Sequence, residues 1–228
     1  MKIIESILRN IPMKSALSLL DVISSRYPRN DMLNKAFKFA RASKVPGDYL
    51  EFGVYNGVTF SLAYHNAVLR SFTGRFIAFD SFQGLPVYSK DYELPSNVFF
   101  GGLFGTTVST FWKYINSKGV DLDRVSVVSG WFNDTLTGKQ KDSMGLKQAA
   151  VILIDCDLYE STVPILEFIT DILVPGSIIM FDDWYLYEGN PKYGVQAAFN
   201  EWAHQHPEIQ FIEYHKFGWH GKSFIVSK

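Results

Sequence analysis

From Asp48 onward, short apolar runs alternate with amphipathic stretches, and this alternation limits the fold more than any other property of the 228-residue chain. Nearly continuous apolar runs bounded by turn residues mark strands buried on both faces, and parallel strands of that kind need helical crossovers between them. The pattern predicts strands at 48–54, 75–80, 124–129, 149–155 and 177–181. Helices are expected at 58–69, 161–173 and 193–204, with Pro164 tolerated in a first turn and Pro175-Gly176 ending the second of them. Two further runs, 209–214 and 223–226, are joined by too few residues for a crossover, so they should pair antiparallel. The expectation is a doubly wound α/β domain with a mostly parallel, seven-stranded sheet and a C-terminal antiparallel hairpin. Residues 1–45, with apolar Ile7, Leu8, Leu17, Leu19, Leu20 and Ile23 at helical spacing, read as an N-terminal helical segment. That segment can pack on the core, act as a lid or form a homo-oligomer contact, and 46–228 forms the main domain.

Composition excludes several functions. A formal net charge of −1 and no dense Lys/Arg run leave nothing to draw the chain to nucleic acid or an anionic membrane. The single cysteine, Cys156, excludes an intramolecular disulfide and a cysteine-based zinc cluster. The start lacks a long apolar run, being broken by Glu5 and Arg9, and no later stretch is long enough to span a bilayer. The chain therefore reads as soluble and cytoplasmic, acting on a small molecule.

In a doubly wound sheet, ligands lie beyond the carboxyl ends of the strands. The first strand runs into Glu51-x-Gly53-x-x-x-Gly57, whose glycines allow a tight turn and close backbone approach to a ligand at a helix N-terminus. The spacing departs from Gly-x-Gly-x-x-Gly, which argues against a nicotinamide cofactor. The second strand ends at Asp80, an acid placed to accept ribose hydroxyls or, with Ser81, to cap a following helix. After the third come Gly130, Trp131 and Phe132, aromatics suited to stacking on adenine or to filling core. The fourth ends Asp155-Cys156-Asp157 and the fifth Asp182-Asp183. Adjacent strands would crowd these carboxylates, and burying them is costly unless a cation or hydrogen-bond donors compensate; an oxygen-rich site of this kind suits a hard divalent ion such as Mg²⁺. Asp157 also suits an N-cap, but a cap does not explain Asp155, Asp182 and Asp183 together. The five histidines show no metal-ligand spacing; His215 and His220 flank the hairpin turn, able to reach the strand ends only if that loop folds back.

Taken in order, the motifs resemble the macrocin O-methyltransferase (TylF-like) family. The resemblance lies in Leu50-Glu51-Phe52-Gly53-Val54-Tyr55-Asn56-Gly57-Val58-Thr59, Phe79-Asp80-Ser81-Phe82-Gln83-Gly84-Leu85-Pro86 and Gly130-Trp131-Phe132-Asn133-Asp134-Thr135-Leu136. Asp155-Cys156-Asp157-Leu158-Tyr159-Glu160-Ser161-Thr162 and Asp182-Asp183-Trp184 complete it, with Cys156 standing where the family usually has glycine. It implies a class I, Rossmann-like methyltransferase fold, S-adenosyl-L-methionine as cofactor, Mg²⁺ or another divalent cation, and methylation of a sugar hydroxyl on a natural product. By resemblance, Glu51, Gly53 and Gly57 line the methionine end, Asp80 holds ribose, and Trp131 and Phe132 lie near adenine. Tyr55, Asn56, Thr59, Ser81, Gly130 and Asp155 complete the implied cofactor contacts, and Asp155, Asp182 and Asp183 bind the metal. Asp157 is the candidate base, the order of Asp155 and Asp157 as ligand and base being open. Residues 87–104 are where a substrate lid would lie. The competing readings are a nucleotide- or NAD-dependent sugar-modifying enzyme and a catalytically silent cofactor-binding subunit.

Overall fold

The computed structural model describes residues 13–87 and 100–227, with side chains described from Pro28 onward. Ile7 and Leu8, the side chains of Leu17, Leu19, Leu20 and Ile23, and most of the expected lid at 87–104 lie outside what is described. A long helix, α1 (Met13–Ala42), leads into β1 (Asp48–Phe52), α2 (Val58–Val68), β2 (Phe76–Asp80), α3 (Val108–Ser117) and β3 (Val125–Ser129). Two short helices, α4 (Phe132–Thr135) and α5 (Gly138–Met144), precede β4 (Ala149–Ile154), α6 (Tyr159–Ile169), β5 (Leu173–Phe181), α7 (Gly194–Gln205), β6 (Phe211–Phe217) and β7 (Gly221–Val226). The seven strands form one sheet in the order β3-β2-β1-β4-β5-β7-β6. The first five are parallel, and β7 pairs antiparallel with both β5 and β6. This is the doubly wound sheet with a terminal hairpin that the sequence pattern predicts.

Side chains alternate across the sheet. Tyr49, Phe76 and Ala78 face a core built with Met32, Leu33 and Phe37 of α1 and Phe60 of α2. Leu50, Phe52, Ile77 and Phe79 face the opposite core, built with Ile165 and Leu166 of α6 and Phe199 and Trp202 of α7. The C-terminal half of α1 is thus an integral layer of the domain. Among the described residues, no helix is long and apolar enough to cross a membrane.

Three local expectations are corrected. Helix α6 starts at Tyr159, so Pro164 is its sixth residue rather than part of the first turn. Its missing N–H leaves the Glu160 carbonyl without that helical donor. The N-cap of α6 is Leu158, not Asp157, which sits one residue earlier with φ +62°. Strand β5 begins at Leu173, before Pro175-Gly176: its register jumps from Ala149↔Leu173 to Val151↔Ile178. Gly176 at φ +93° turns within this bulge, and the Ser177 hydroxyl seals it by donating to the Ala149 carbonyl at 2.6 Å.

Candidate active site

The parallel ladder continues one residue past β1, β3, β4 and β5. Gly53 N–H donates to Phe79 O at 2.9 Å, Gly130 N–H to Asp80 O at 3.0 Å, Asp155 N–H to Phe52 O at 2.9 Å and Asp182 N–H to Ile154 O at 3.0 Å. Those bonds fix the residues of all five strand ends in one row. The row crosses the point where chain order reverses between β1 and β4, the usual ligand position in such sheets. Above it opens a cleft of about 620 Å³, within the usual range for a small-molecule site.

One half of the row is the glycine loop. Gly53 has φ +85°, and a Cβ there would stand 1.8 Å from the Asp155 carbonyl oxygen, so only glycine lets the ends of β1 and β4 close up. Asp80 holds this loop: its Oδ2 accepts from Val54 N–H and Tyr55 N–H, each at 2.8 Å, and its Oδ1 from Phe82 N–H at 2.7 Å. No helix follows Asp80 directly, so the carboxylate fastens two loops rather than capping a helix. Burial raises its pKa, opposed by those three backbone donors.

The other half is acidic. Asp182 and Asp183 are buried, and the Asp183 carboxylate accepts from Asp157 N–H at 3.0 Å. Burial pushes the Asp155 pKa up to about 8; Arg29 opposes this, while Asp182 and Asp157 add to it. Burial, then Asp157, Asp155 and Asp182, hold Asp183 well above the usual carboxylate range. The compensating cation is Arg29 of α1. Its Nε and Nη2 form a two-pronged pair with the Asp182 carboxylate, the former at 2.9 Å. Its Nη1 lies 3.0 Å from Asp155 Oδ2 and donates to the Thr59 hydroxyl at 3.1 Å. Burial disfavours its charge, but Asp155 and then Asp182 outweigh that and raise its pKa.

Sequence reasoning missed two members of this site. Arg29 lies far from the motifs, and its only signal was an acidic group too large to be left uncompensated. His220 reaches the strand ends because the hairpin folds back: its Nδ1 contacts the Asp182 carbonyl and stands 3.7 Å from Asp182 Oδ2. Potential ligand atoms of Asp182, Asp183 and His220 all lie within 4.8 Å of one another.

Of the expected site residues, Gly53, Tyr55, Asn56, Thr59, Asp80 and Ser81 line the cleft. Trp131, Phe132, Asp155, Asp157, Asp182 and Asp183 line it too. Glu51, Gly57 and Gly130 are not among its lining residues. Glu51 is wholly buried on the α1 side of the sheet; its Oε2 accepts from the Tyr49 hydroxyl at 2.5 Å and its Oε1 has no partner. Burial raises its pKa well above the usual range, with the Tyr49 hydrogen bond opposing and Asp155 adding to the shift. Gly57, at φ +90°, is the N-cap of α2 and packs against Ile115 and Phe111.

The chain is similar to known proteins in both sequence and fold. The model of the macrocin-O-methyltransferase (TylF) family matches residues 23–215. A Streptomyces olivaceus protein, 8-demethyl-8-(2,3-dimethoxy-alpha-L-rhamnosyl)-tetracenomycin-C 4'-O-methyltransferase, is 30% identical over 187 residues, covering 76% of this chain and 69% of the relative. Mycinamicin III 3''-O-methyltransferase of Micromonospora griseorubida is 28% identical over 166 residues, covering 68% of this chain and 62% of its own. In fold, the O-methyltransferase NovP superposes with a TM-score of 0.70 at 19% identity, covering 88% of this chain and 80% of that one. The calicheamicin methyltransferase CalS11 gives 0.69 at 21% identity, covering 98% and 90%. Since the family match runs from α1 through the glycine loop and both acidic strand ends into β6, the chain belongs to the macrocin-O-methyltransferase (TylF) family of O-methyltransferases.

Proposed function

We propose that the chain transfers the methyl group of S-adenosyl-L-methionine to a hydroxyl of a glycosylated small molecule, with help from a divalent cation such as Mg²⁺. One observation carries this reading: a rigid glycine loop and a row of buried carboxylates face each other across a single cleft. The relatives named for methylating a rhamnosyl tetracenomycin and a mycinamicin supply the substrate class.

The residues fit the cofactor in a specific way. Asp80 Oδ2 is filled by two N–H donors, but Oδ1 takes one and keeps room for one ribose hydroxyl. Trp131 and Phe132 offer faces to an adenine ring, and the N-terminus of α2 with Thr59 offers donors to a carboxylate. Asp155, Asp182 and Asp183 are hard oxygen donors of the kind Mg²⁺ takes, and they fit it on condition that Arg29 leaves the space between them. Six carboxylates line the cleft, and among its described lining residues Arg29 alone is cationic.

When bound, S-adenosyl-L-methionine supplies a methyl carbon activated by a sulfonium leaving group. Asp155, Asp182 and Asp183 would hold the divalent cation, which would supply Lewis acidity to lower the acceptor hydroxyl's pKa. The protein's own task is orientation and proton transfer. Asp157, held at φ +62° beside Asp183, takes the acceptor proton on its carboxylate, with Asp155 as the alternative base. Aromatic side chains at the mouth exclude water, among them Tyr55 and Phe104, whose ring centroids lie 6.2 Å apart. With the cofactor held there, the acceptor oxygen would take the methyl group and the electron pair of the C–S bond would stay on sulfur.

The test is methyl transfer from isotopically labelled cofactor to a panel of glycosides, run with Mg²⁺ and with EDTA. Labelled, Mg²⁺-dependent product is expected. Full activity in EDTA would remove the metal, and failure of S-adenosylhomocysteine to bind by calorimetry would remove the cofactor.

A further inference from the structure

We propose that Arg29 and a divalent cation are alternative occupants of the space between Asp155 and Asp182, so that the cation enters only when the guanidinium withdraws. This rests on the metal-assisted reading above and specifies how the site is kept before the cation arrives.

The geometry is that of an occupied cation site. Both oxygens of Asp182 and Oδ2 of Asp155 are turned onto one guanidinium, and the Thr59 hydroxyl accepts from its remaining edge. A divalent ion needs those same oxygens at about 2.1 Å, which places it against the guanidinium in a partly buried site where like charges repel strongly. The two cannot share the carboxylates. The planar fork of arginine suits the role, because it meets Asp182 with two prongs and still reaches Asp155, a fixed geometry that the ammonium of lysine lacks. Arg29 also has a way out: its side chain keeps 31% exposure, against 4% for Asp182.

What stays behind is organised to receive a cation. Asp157 N–H holds the Asp183 carboxylate, and His220 holds the Asp182 backbone carbonyl with its Nδ1 3.7 Å from Asp182 Oδ2, so Asp183 stays oriented and Asp182 keeps a neighbour when Arg29 leaves. The ligand atoms of Asp182, Asp183 and His220 already lie within 4.8 Å of one another. Arg29 therefore balances charge in the resting protein and sets the threshold for metal entry.

Mn²⁺ binding to the full chain, followed by electron paramagnetic resonance without acceptor, tests this in wild type, Arg29→Gln and Arg29→Lys. Removing the guanidinium leaves buried carboxylates uncompensated, so Arg29→Gln is expected to bind Mn²⁺ roughly tenfold tighter or more, with Arg29→Lys between. The rise in melting temperature caused by Mn²⁺ should likewise be larger in Arg29→Gln than in wild type. Equal or weaker Mn²⁺ binding by Arg29→Gln overturns the proposal and leaves the metal role standing. If Arg29→Gln is unfolded without metal, refolding by Mn²⁺ supports the proposal and failure to refold overturns it. No Mn²⁺ binding by either protein overturns both this and the metal role, while methyl transfer is read separately.

Discussion

The two halves of the cleft solve opposite problems. On the β1–β2 side, one carboxylate, Asp80, is satisfied by three backbone N–H groups from loops next to it in the sheet. On the β4–β5 side, Asp155 and Asp182 turn to a side chain from α1, 153 residues before Asp182 in the sequence. Backbone donors cannot leave, so the first half is preorganised whatever is bound. A guanidinium on a flexible stem can leave, so the second half is built for exchange. The difference teaches that the two walls of one cleft, the one proposed for the cofactor and the one proposed for the metal, can differ in rigidity because their counter-charges differ in kind.

The largest effects should come from emptying each half separately. Asp183→Ala is expected to lower methyl transfer by about 10²-fold or more while leaving affinity for S-adenosylhomocysteine within a few-fold of wild type. Asp80→Ala frees the N–H groups of Val54, Tyr55 and Phe82 and should cut S-adenosylhomocysteine affinity by roughly 10²-fold, the cost of losing several charge-assisted hydrogen bonds. Mn²⁺ affinity should be nearly unchanged in Asp80→Ala. Calorimetry for the first ligand and paramagnetic resonance for the second give a two-by-two comparison. If either substitution damaged both affinities equally, the halves would be one unit and the distinction would fail.

What could be read from the sequence follows the same division. The glycine loop and Asp80 are local motifs, with spacing set by turns and strand register, and both were visible before any coordinates. So were the strand order's consequences, because apolar runs and a short final connection determine them. Asp155, Asp182 and Asp183 were legible as a group with too much negative charge. Arg29 was not, because long-range pairing to a helix outside the motifs leaves no periodic or spacing signature. His220 was considered and set aside, since only the tertiary path of the hairpin brings it under Asp182. The cap offered as an alternative for Asp157 falls to Leu158, which precedes Tyr159 as the N-cap of α6 without a capping side chain.

A smaller effect should appear in the pH dependence of the metal-free protein. Asp155 titrates at about 8 when folded, raised chiefly by burial from an ordinary value of 3.8. Between those values the folded state holds a proton that the unfolded chain has released. The stability so gained is present in full below the unfolded value and lost as pH rises through about 8. Asp183 is shifted the same way. The melting temperature in EDTA should therefore fall, on the order of a few degrees, from pH 5 to about pH 8. With saturating Mg²⁺ the slope should flatten or reverse, because the cation takes the place of the proton. A scanning-fluorimetry series in the two buffers checks this, and a melting temperature rising with pH in EDTA would contradict it.

The smallest effect should come from the aromatic wall, and it sharpens the comparison from the cofactor side. Trp131 precedes α4 as its N-cap and lines the cleft with Phe132, whose ring meets Phe52 edge-on at 6.0 Å. Phe132 is therefore partly a core residue, while Trp131 lines the cleft with no such ring partner among the described residues. Stacking adds about 0.5–1.5 kcal/mol beyond area burial. Trp131→Leu, which keeps apolar bulk, should then weaken S-adenosylhomocysteine by roughly two- to tenfold. Melting temperature should barely move, since no core contact is lost. Phe132→Leu should behave in the opposite way, lowering the melting temperature more than the affinity. Calorimetry and thermal melting on the two variants decide it. If Trp131→Leu melted earlier yet bound the ligand unchanged, Trp131 would be wall rather than platform, and the rigidity of the cofactor half would rest on Asp80 and the glycine loop alone.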